Sequence, residues 1–266
     1  MKRIMLVCLI LLGGSGVLWA AGTKKKKPLP HEFGSVTISN YSQQAGMPPV
    51  LFDHWLHRKN YTCRVCHVDI GFGMTANSTK IRAADNGKGY FCGACHNGST
   101  TFRKVKIFES CAATYTRDDY KRCVKCHAVE KDPAREEAFY RFLEKMPRET
   151  FGNGINWEKA EEGGSLKLVD NVDGVSFKKS SMKVEGNFAL KSKVEGMPDI
   201  IFSHAKHTVW NGCELCHPDI FVGIKKGATK YTMIELFNGQ YCGVCHDKVA
   251  FPQTDCKRCH AKPVGG

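Results

Sequence analysis

Six times in this chain, two cysteines three positions apart are followed at once by a histidine. The units are Cys63/Cys66/His67, Cys92/Cys95/His96, Cys123/Cys126/His127, Cys213/Cys216/His217, Cys242/Cys245/His246 and Cys256/Cys259/His260. They use most of the 14 cysteines and six of the 11 histidines. The two thiols of such a unit can form thioethers with the vinyl groups of one porphyrin, and the imidazole that follows is then held under the iron as its proximal ligand. Two Cys-x-x-Cys pairs can also build a tetrahedral thiolate site for zinc, but that chemistry has no use for a histidine after every second cysteine. A thioredoxin-like redox pair would be single and set in a βαβ pattern. So many cysteines in a secreted chain would otherwise invite a disulfide scaffold. Six copies favour haem, and the reading is six covalently attached haem c groups, each bringing one iron.

A second set of histidines recurs. His54/His57 and His204/His207 stand three apart, each pair shortly before a Cys-x-x-Cys-His unit. On a helical turn, positions i and i+3 share a face, so two imidazoles can point at two neighbouring irons. Asp53 and Ser203 are suited to cap that turn. The aromatics beside these motifs, Phe52, Tyr90, Phe91, Phe202 and Tyr241, are expected to pack on porphyrin faces, although ordinary core packing would read the same.

The elements that position these groups come in two copies. Shifted by 150 positions, Gly46–His96 falls on Gly196–His246 without a gap, and the first two motifs of each half coincide. The first half carries an insertion before its third motif, and the insertion contains Cys111, read as an inert buried thiol, with an intermolecular disulfide or an unusual ligand as the alternatives. The expected organisation is a signal peptide over 1–21, a basic tail over 22–45, a first three-haem unit over 46–127, a segment without haem over 128–195, and a second three-haem unit over 196–266. Within the middle segment, "DPAREEAFYRFLEKM" reads as a helix with Asp132 as N-cap, Pro133 in the first turn and Pro147 past its end. "GNGINWEKAEEGG" reads as a second short helix, and "VSFKKSSMKVEGNFALKSK" as a strand or two. The segment is expected to pack on the second unit and fix the spacing between units.

Composition agrees. "MKRIMLVCLILLGGSGVLWAAG" has a basic start, an apolar run and small residues at Ala20–Ala21, as an export signal does. A retained anchor is the competing reading of the run from Ile4 to Ala21. Haem is attached to c-type cytochromes outside the bacterial cytoplasm, so the periplasm is the expected compartment, with the cell surface or the extracellular space as alternatives. No transmembrane span is expected after cleavage. The formal net charge of +13 suggests compensation of haem propionates rather than a nucleic-acid partner. Lys24–Lys27 reads as a solvated tail. Six haems on 266 residues leave too little chain for a conventional core around each, so the porphyrins themselves would fill much of the interior.

Phe-x-His-x-x-His, a Cys-x-x-Cys-His, a glycine-lysine stretch, Tyr/Phe-Cys-Gly-x-Cys-His and a closing Cys-x-x-Cys-His resemble the c(7)-type triheme domain of the class III multihaem cytochromes c, over residues 46–127 and 196–260. The resemblance implies a multihaem cytochrome c fold, mainly α with short β strands and low regular secondary structure, in two tandem three-haem units whose core is largely haem. It implies that His54 ligates the iron held by His67, His57 that of His96, His204 that of His217 and His207 that of His246. It places Met233 as sixth ligand to the iron of His260. In the first unit the equivalent residue is Ala83, which leaves the iron of His127 with His31, Met74, Met47 or no sixth ligand. It implies an electron carrier or conduit rather than an enzyme, with no catalytic residues, serving anaerobic or metal-reducing respiration. Its partners would be other redox proteins, such as cytochromes and quinol-oxidising or outer-membrane electron-transfer complexes. The alternative is a reductase acting on a small oxyanion or peroxide at an open iron of His127, near Arg117, Lys121 and Arg122.

Overall fold

The computed structural model describes residues 27–111, 120–128, 132–177, 183–184, 186–222 and 225–262. The expected export signal, most of the lysine run and the part of the insertion that holds Arg117 lie outside these residues. Regular structure is sparse and short, as expected for a core meant to be filled by cofactor. Among the described residues the longest helix has 11 residues.

The first unit opens with strands β1 (Ser35–Ile38) and β2 (Val50–Asp53), paired antiparallel with Ser35 opposite Asp53. Helix α1 (His54–Arg58) follows at once, then α2 (Ala83–Gly87), a hairpin of β3 (Thr101–Phe102) and β4 (Val105–Lys106), and α3 (Tyr120–Cys123). The middle segment supplies α4 (Pro133–Leu143) and α5 (Trp157–Glu162). The second unit repeats the opening with β5 (Phe188–Leu190), β6 (Asp199–Phe202) and α6 (His204–Asn211), then α7 (Met233–Phe237), α8 (Cys256–Cys259) and β7 (His260–Lys262). The repetition extends to the third histidine of each unit. A β-bridge joins Val50 to His127, and Ile200 pairs with His260 in the β6–β7 ladder.

Helix α4 starts as its sequence dictates. The Asp132 carboxylate accepts the Ala134 N–H at 3.0 Å, satisfying an amide the helix leaves open, and Pro133 costs nothing where no N–H is needed. Phe139 and Leu143, four apart on one face, are buried. They join Trp55 of α1, Ile155, Trp157, Ala160, Leu166 and Trp210 of α6 in one cluster. The middle segment therefore packs on both units at once, not on the second alone, because both α1 and α6 present a tryptophan to it. Each fully buried aromatic of this kind contributes about 1.5–3 kcal/mol. Arg64 adds a polar tie. Lying inside the first motif, it forms ion pairs with Asp69 at 3.2 Å, with Asp170 of the middle segment at 3.4 Å and with Glu214 of the second unit at 4.0 Å.

One expectation about α1 is corrected. Asp53 makes no capping bond to the helix. Its carboxylate accepts the Ser35 hydroxyl at 2.5 Å and pairs with Arg135 at 3.0 Å, a charged partner that outcompetes a neutral amide. In α6, Ser203 has no such rival and its hydroxyl accepts the Lys206 N–H at 3.3 Å.

Candidate haem-binding site

A cavity of about 2750 Å³ runs through both units. That is several times the 300–1,000 Å³ or so of a pocket for one small ligand. Its walls include the Cys63/Cys66, Cys92/Cys95, Cys242/Cys245 and Cys256/Cys259 pairs together with Cys126 and Cys216, and no disulfide joins any of the described cysteines. Cys123 and Cys213 stand outside the wall, each beside a partner that lines it. Burial pushes the thiols of Cys66, Cys92 and Cys245 up to about 12, in each case with neighbouring cysteines adding to it. The Cys245 thiol feels both Cys63 and Cys216, so sulfurs of the two units share one neighbourhood.

Three pairs of imidazoles face one another across this space. Ring centroids of His54 and His67 are 6.4 Å apart with planes 6° from parallel; His57 and His96 are 6.2 Å apart, and His207 and His246 6.4 Å apart. With metal–nitrogen bonds of about 2 Å and each centroid roughly 1 Å behind its nitrogen, two imidazoles on opposite sides of one metal ion sit roughly 6 Å apart. The residues present thus fit an iron held between two histidines. Burial also keeps the rings neutral, as metal ligands must be. It lowers His54 and His57 to about 4, and lowers His67, His96, His207 and His246 below the ordinary histidine range.

All six motif histidines share a further feature that sequence reasoning missed. Each donates Nδ1–H to a backbone carbonyl: His67 to Phe72 at 2.8 Å, His96 to Phe108 at 3.2 Å, His127 to Pro48 at 2.6 Å, His217 to Phe221 at 2.7 Å, His246 to Phe251 at 2.9 Å and His260 to Pro198 at 2.7 Å. A carbonyl only accepts, so the proton is on Nδ1 and the lone pair of Nε2 is left for a metal. His54 does the same to Gly34 at 2.5 Å and His207 to Ser203 at 2.7 Å.

The turns that present the second motif of each unit are built alike. Phe91 and Tyr241, read as porphyrin-facing aromatics, hold left-handed backbone, with φ of 48° and 50°. Such strain costs about 1–3 kcal/mol and persists where surroundings impose it. Here the rings pack on Phe72 at 5.7 Å and Phe221 at 6.2 Å. The glycine inside the motif is equally constrained. A Cβ at Gly93 or Gly243 would collide with the carbonyl of Asn86 or Leu236, the last turn of α2 or α7. Tyr90, by contrast, is largely exposed. Phe52 and Phe202 stack on His57 and His207 at 4.5 Å each, so they orient imidazoles.

His204 and His217 are not brought face to face. The His204 ring packs on Phe188 and Phe202, and His217 on Phe221. The first unit carries His67 in a helical turn, Val65–Asp69, whereas Pro218 follows His217 and cannot continue such a turn. Met233, first residue of α7, lines the cavity together with Cys256, Cys259 and His260. Among the alternatives for the iron of His127, Met74 lines the cavity and Met47 does not. His31 is buried against Phe139 and Tyr140 with Glu136 at 3.6 Å. Cys111 accepts a weak contact from Asn86 at 3.8 Å.

Six cysteine–histidine triplets, most of them lining one large cavity, and imidazoles spaced for iron between them define a multihaem c-type cytochrome. The chain matches the family described as "Cytochrome c7 and related cytochrome c" over residues 50–130 and 200–261, and it belongs to that family. Among solved structures it is similar to a c7-type three-heme cytochrome domain, with 36% identity over 30% of this chain and 99% of that one and a TM-score of 0.27. It is also similar to the C-terminal hexaheme fragment of GSU1996, with 23% identity over 88% of this chain and 98% of the fragment and a TM-score of 0.26. The N-terminal hexaheme fragment of the same protein gives 22% identity over 85% and 98%, with a TM-score of 0.25. None of the curated proteins compared with the chain matches it. Among the described residues no helix is long and apolar enough to cross a membrane.

Proposed function

We propose that the chain is an exported carrier holding six haems in two three-haem units, which passes electrons between redox proteins of the periplasm or cell surface. The observation that carries this reading is the set of three imidazole pairs, 6.2 to 6.4 Å apart, around one continuous cavity. Bound haem supplies one-electron chemistry at its iron. The chain's own residues do the rest. The paired thiols fix each group covalently, the backbone carbonyls hold the motif imidazoles in one tautomer, and buried aromatic walls exclude water. Rigid ligands of this kind change little between oxidation states, which suits fast exchange. Anaerobic or metal-reducing respiration is the proposed setting, with other cytochromes, quinol-oxidising or outer-membrane electron-transfer complexes as partners.

In the fuller ligand set, His54 and His57 serve the irons of His67 and His96, His204 and His207 those of His217 and His246, and Met233 that of His260. Ala83 stands where Met233 would be in the first unit, which favours a second reading. An open iron at His127 could reduce a small oxyanion or peroxide. Intact mass of the exported protein tests the load, and potentiometric titration with low-temperature EPR sorts the ligands. Six haem masses and low-spin signals are expected, and a mass without covalent haem would overturn the proposal.

A further inference from the structure

Arg58 is the last residue of α1, next to His57. Its guanidinium lies 4.5 Å from the ring centre of Trp157 and 4.7 Å from that of Trp210. Its Nη1 donates to the Val249 carbonyl at 2.5 Å. One side chain of the first unit thus touches the middle segment and two stretches of the second unit. The tryptophan faces offset part of the cost of removing this cation from water. They leave two demands unmet. Nε is buried without a hydrogen-bond partner, and among the described residues no carboxylate forms an ion pair with Arg58. Arg64 shows what a satisfied arginine looks like in this molecule, with three carboxylates around it.

A guanidinium cannot shed its proton in a protein, and a buried charge lacking a counter-ion is strongly destabilising. Only part of the side chain is shielded from solvent, and an anion reaching in from the cavity that Arg58 lines would meet both demands. Arg58 acts electrostatically on Cys63 and Cys245, and on His54 and His246. It stands between one cofactor position of the first unit and one of the second.

We propose that Arg58 pairs with a propionate carboxylate of the porphyrin attached at Cys63/Cys66 or at Cys242/Cys245, and that its charge holds up the reduction potential of that iron at the junction of the two units. The inference rests on the haem reading above. The sign follows from charge: a fixed cation beside an iron disfavours the ferric form, so its loss lowers the potential. Arg58 is a positioning and potential-setting residue, not an iron ligand.

The test uses the holoprotein in three forms, wild type, Arg58→Gln and Arg58→Lys, with haem load from intact mass and individual midpoints from spectroelectrochemistry assigned by EPR. Glutamine keeps a donor for the Val249 carbonyl and removes the charge; lysine keeps the charge. Expected are an unchanged haem mass, a downward shift of one midpoint in Arg58→Gln, and a wild-type midpoint in Arg58→Lys. Movement of the iron between His54 and His67 assigns the carboxylate to the first unit, and movement of the iron between His207 and His246 assigns it to the second. Midpoints unmoved in Arg58→Gln, or lowered as far by lysine as by glutamine, would overturn the proposal. If Arg58→Gln does not accumulate, the lysine form alone decides, since a fallen midpoint there also overturns it. A wild-type mass without haem is a separate failure, of the haem reading itself.

Discussion

Replacing Phe139 by alanine tests whether the middle segment is structural cement or a tether. Phe139 is 0% exposed, and its ring meets Trp55 edge-on, with centroids 5.1 Å apart and planes at 74°. It also meets Tyr140 at 5.3 Å and His31 at 6.3 Å. Truncating a fully buried phenylalanine costs about 3–5 kcal/mol, more where the walls cannot collapse. Here the walls belong to different elements, each anchored elsewhere, so we expect the upper half of that range. The Trp55 contact accounts for about 0.5–1.5 kcal/mol of it. Against a domain stability of about 5–15 kcal/mol, that is a large fraction. Guanidinium unfolding of the holoprotein, followed by circular dichroism in the haem absorption bands, should show the loss as a lower midpoint. Phe139→Leu should cost less than half as much, and Phe139→Ala combined with Trp55→Ala should fall short of additivity. Trp55 sits between His54 and His57 in α1, so the alanine form should also lose low-spin character at denaturant concentrations that leave the wild type intact. A cost below about 1 kcal/mol for Phe139→Ala would refute the argument.

Four further outcomes are expected. His207→Ala should keep six haem masses yet lose one low-spin EPR signal, because attachment depends on Cys242 and Cys245; an unchanged spectrum would remove His207 from the ligands. Met233→Ala should abolish a methionine-to-iron band in the red region of the ferric spectrum and lower one potential, whereas six unmoved potentials would make Met233 mere packing. Carbon monoxide should bind the reduced protein poorly if the iron of His127 has a sixth ligand, and about one equivalent per chain with catalytic oxidation by nitrite or peroxide if it has none. Stability should fall on acidification from pH 6.5 toward 4. Imidazoles bound to iron, as His54 and His57 are proposed to be, cannot take up a proton, whereas those of the unfolded chain can, so the unfolded chain binds more protons as pH falls below the ordinary histidine value; a flat pH profile of the unfolding midpoint would contradict this.

The chemistry of this chain is legible because covalent attachment fixes residue type and spacing together. The same holds for α4, whose cap and first-turn proline are local signals. What the sequence hides is non-local. Nothing near Trp55 or Trp210 says that both meet one cluster around Phe139, since those positions converge only when the middle segment folds over both units. Asp53 occupies a capping position, yet it bonds to Arg135, far along the chain. Strand β1 lies in the stretch read as a basic tail, and its pairing with β2 depends on register rather than on any marker of its own. The histidine–carbonyl bonds leave no trace in residue type, because every residue has a carbonyl.

That last property has a consequence for how such a protein can change. The groups that aim the six motif imidazoles belong to the main chain, so no single substitution deletes one of them. Surface lysines and acids are under no such obligation. Lineages of this architecture are free to redraw their outer charge for new docking partners while the orientation of the imidazoles stays as it was. Partner choice and wiring geometry can therefore drift independently, one written in side chains and the other in the path of the backbone.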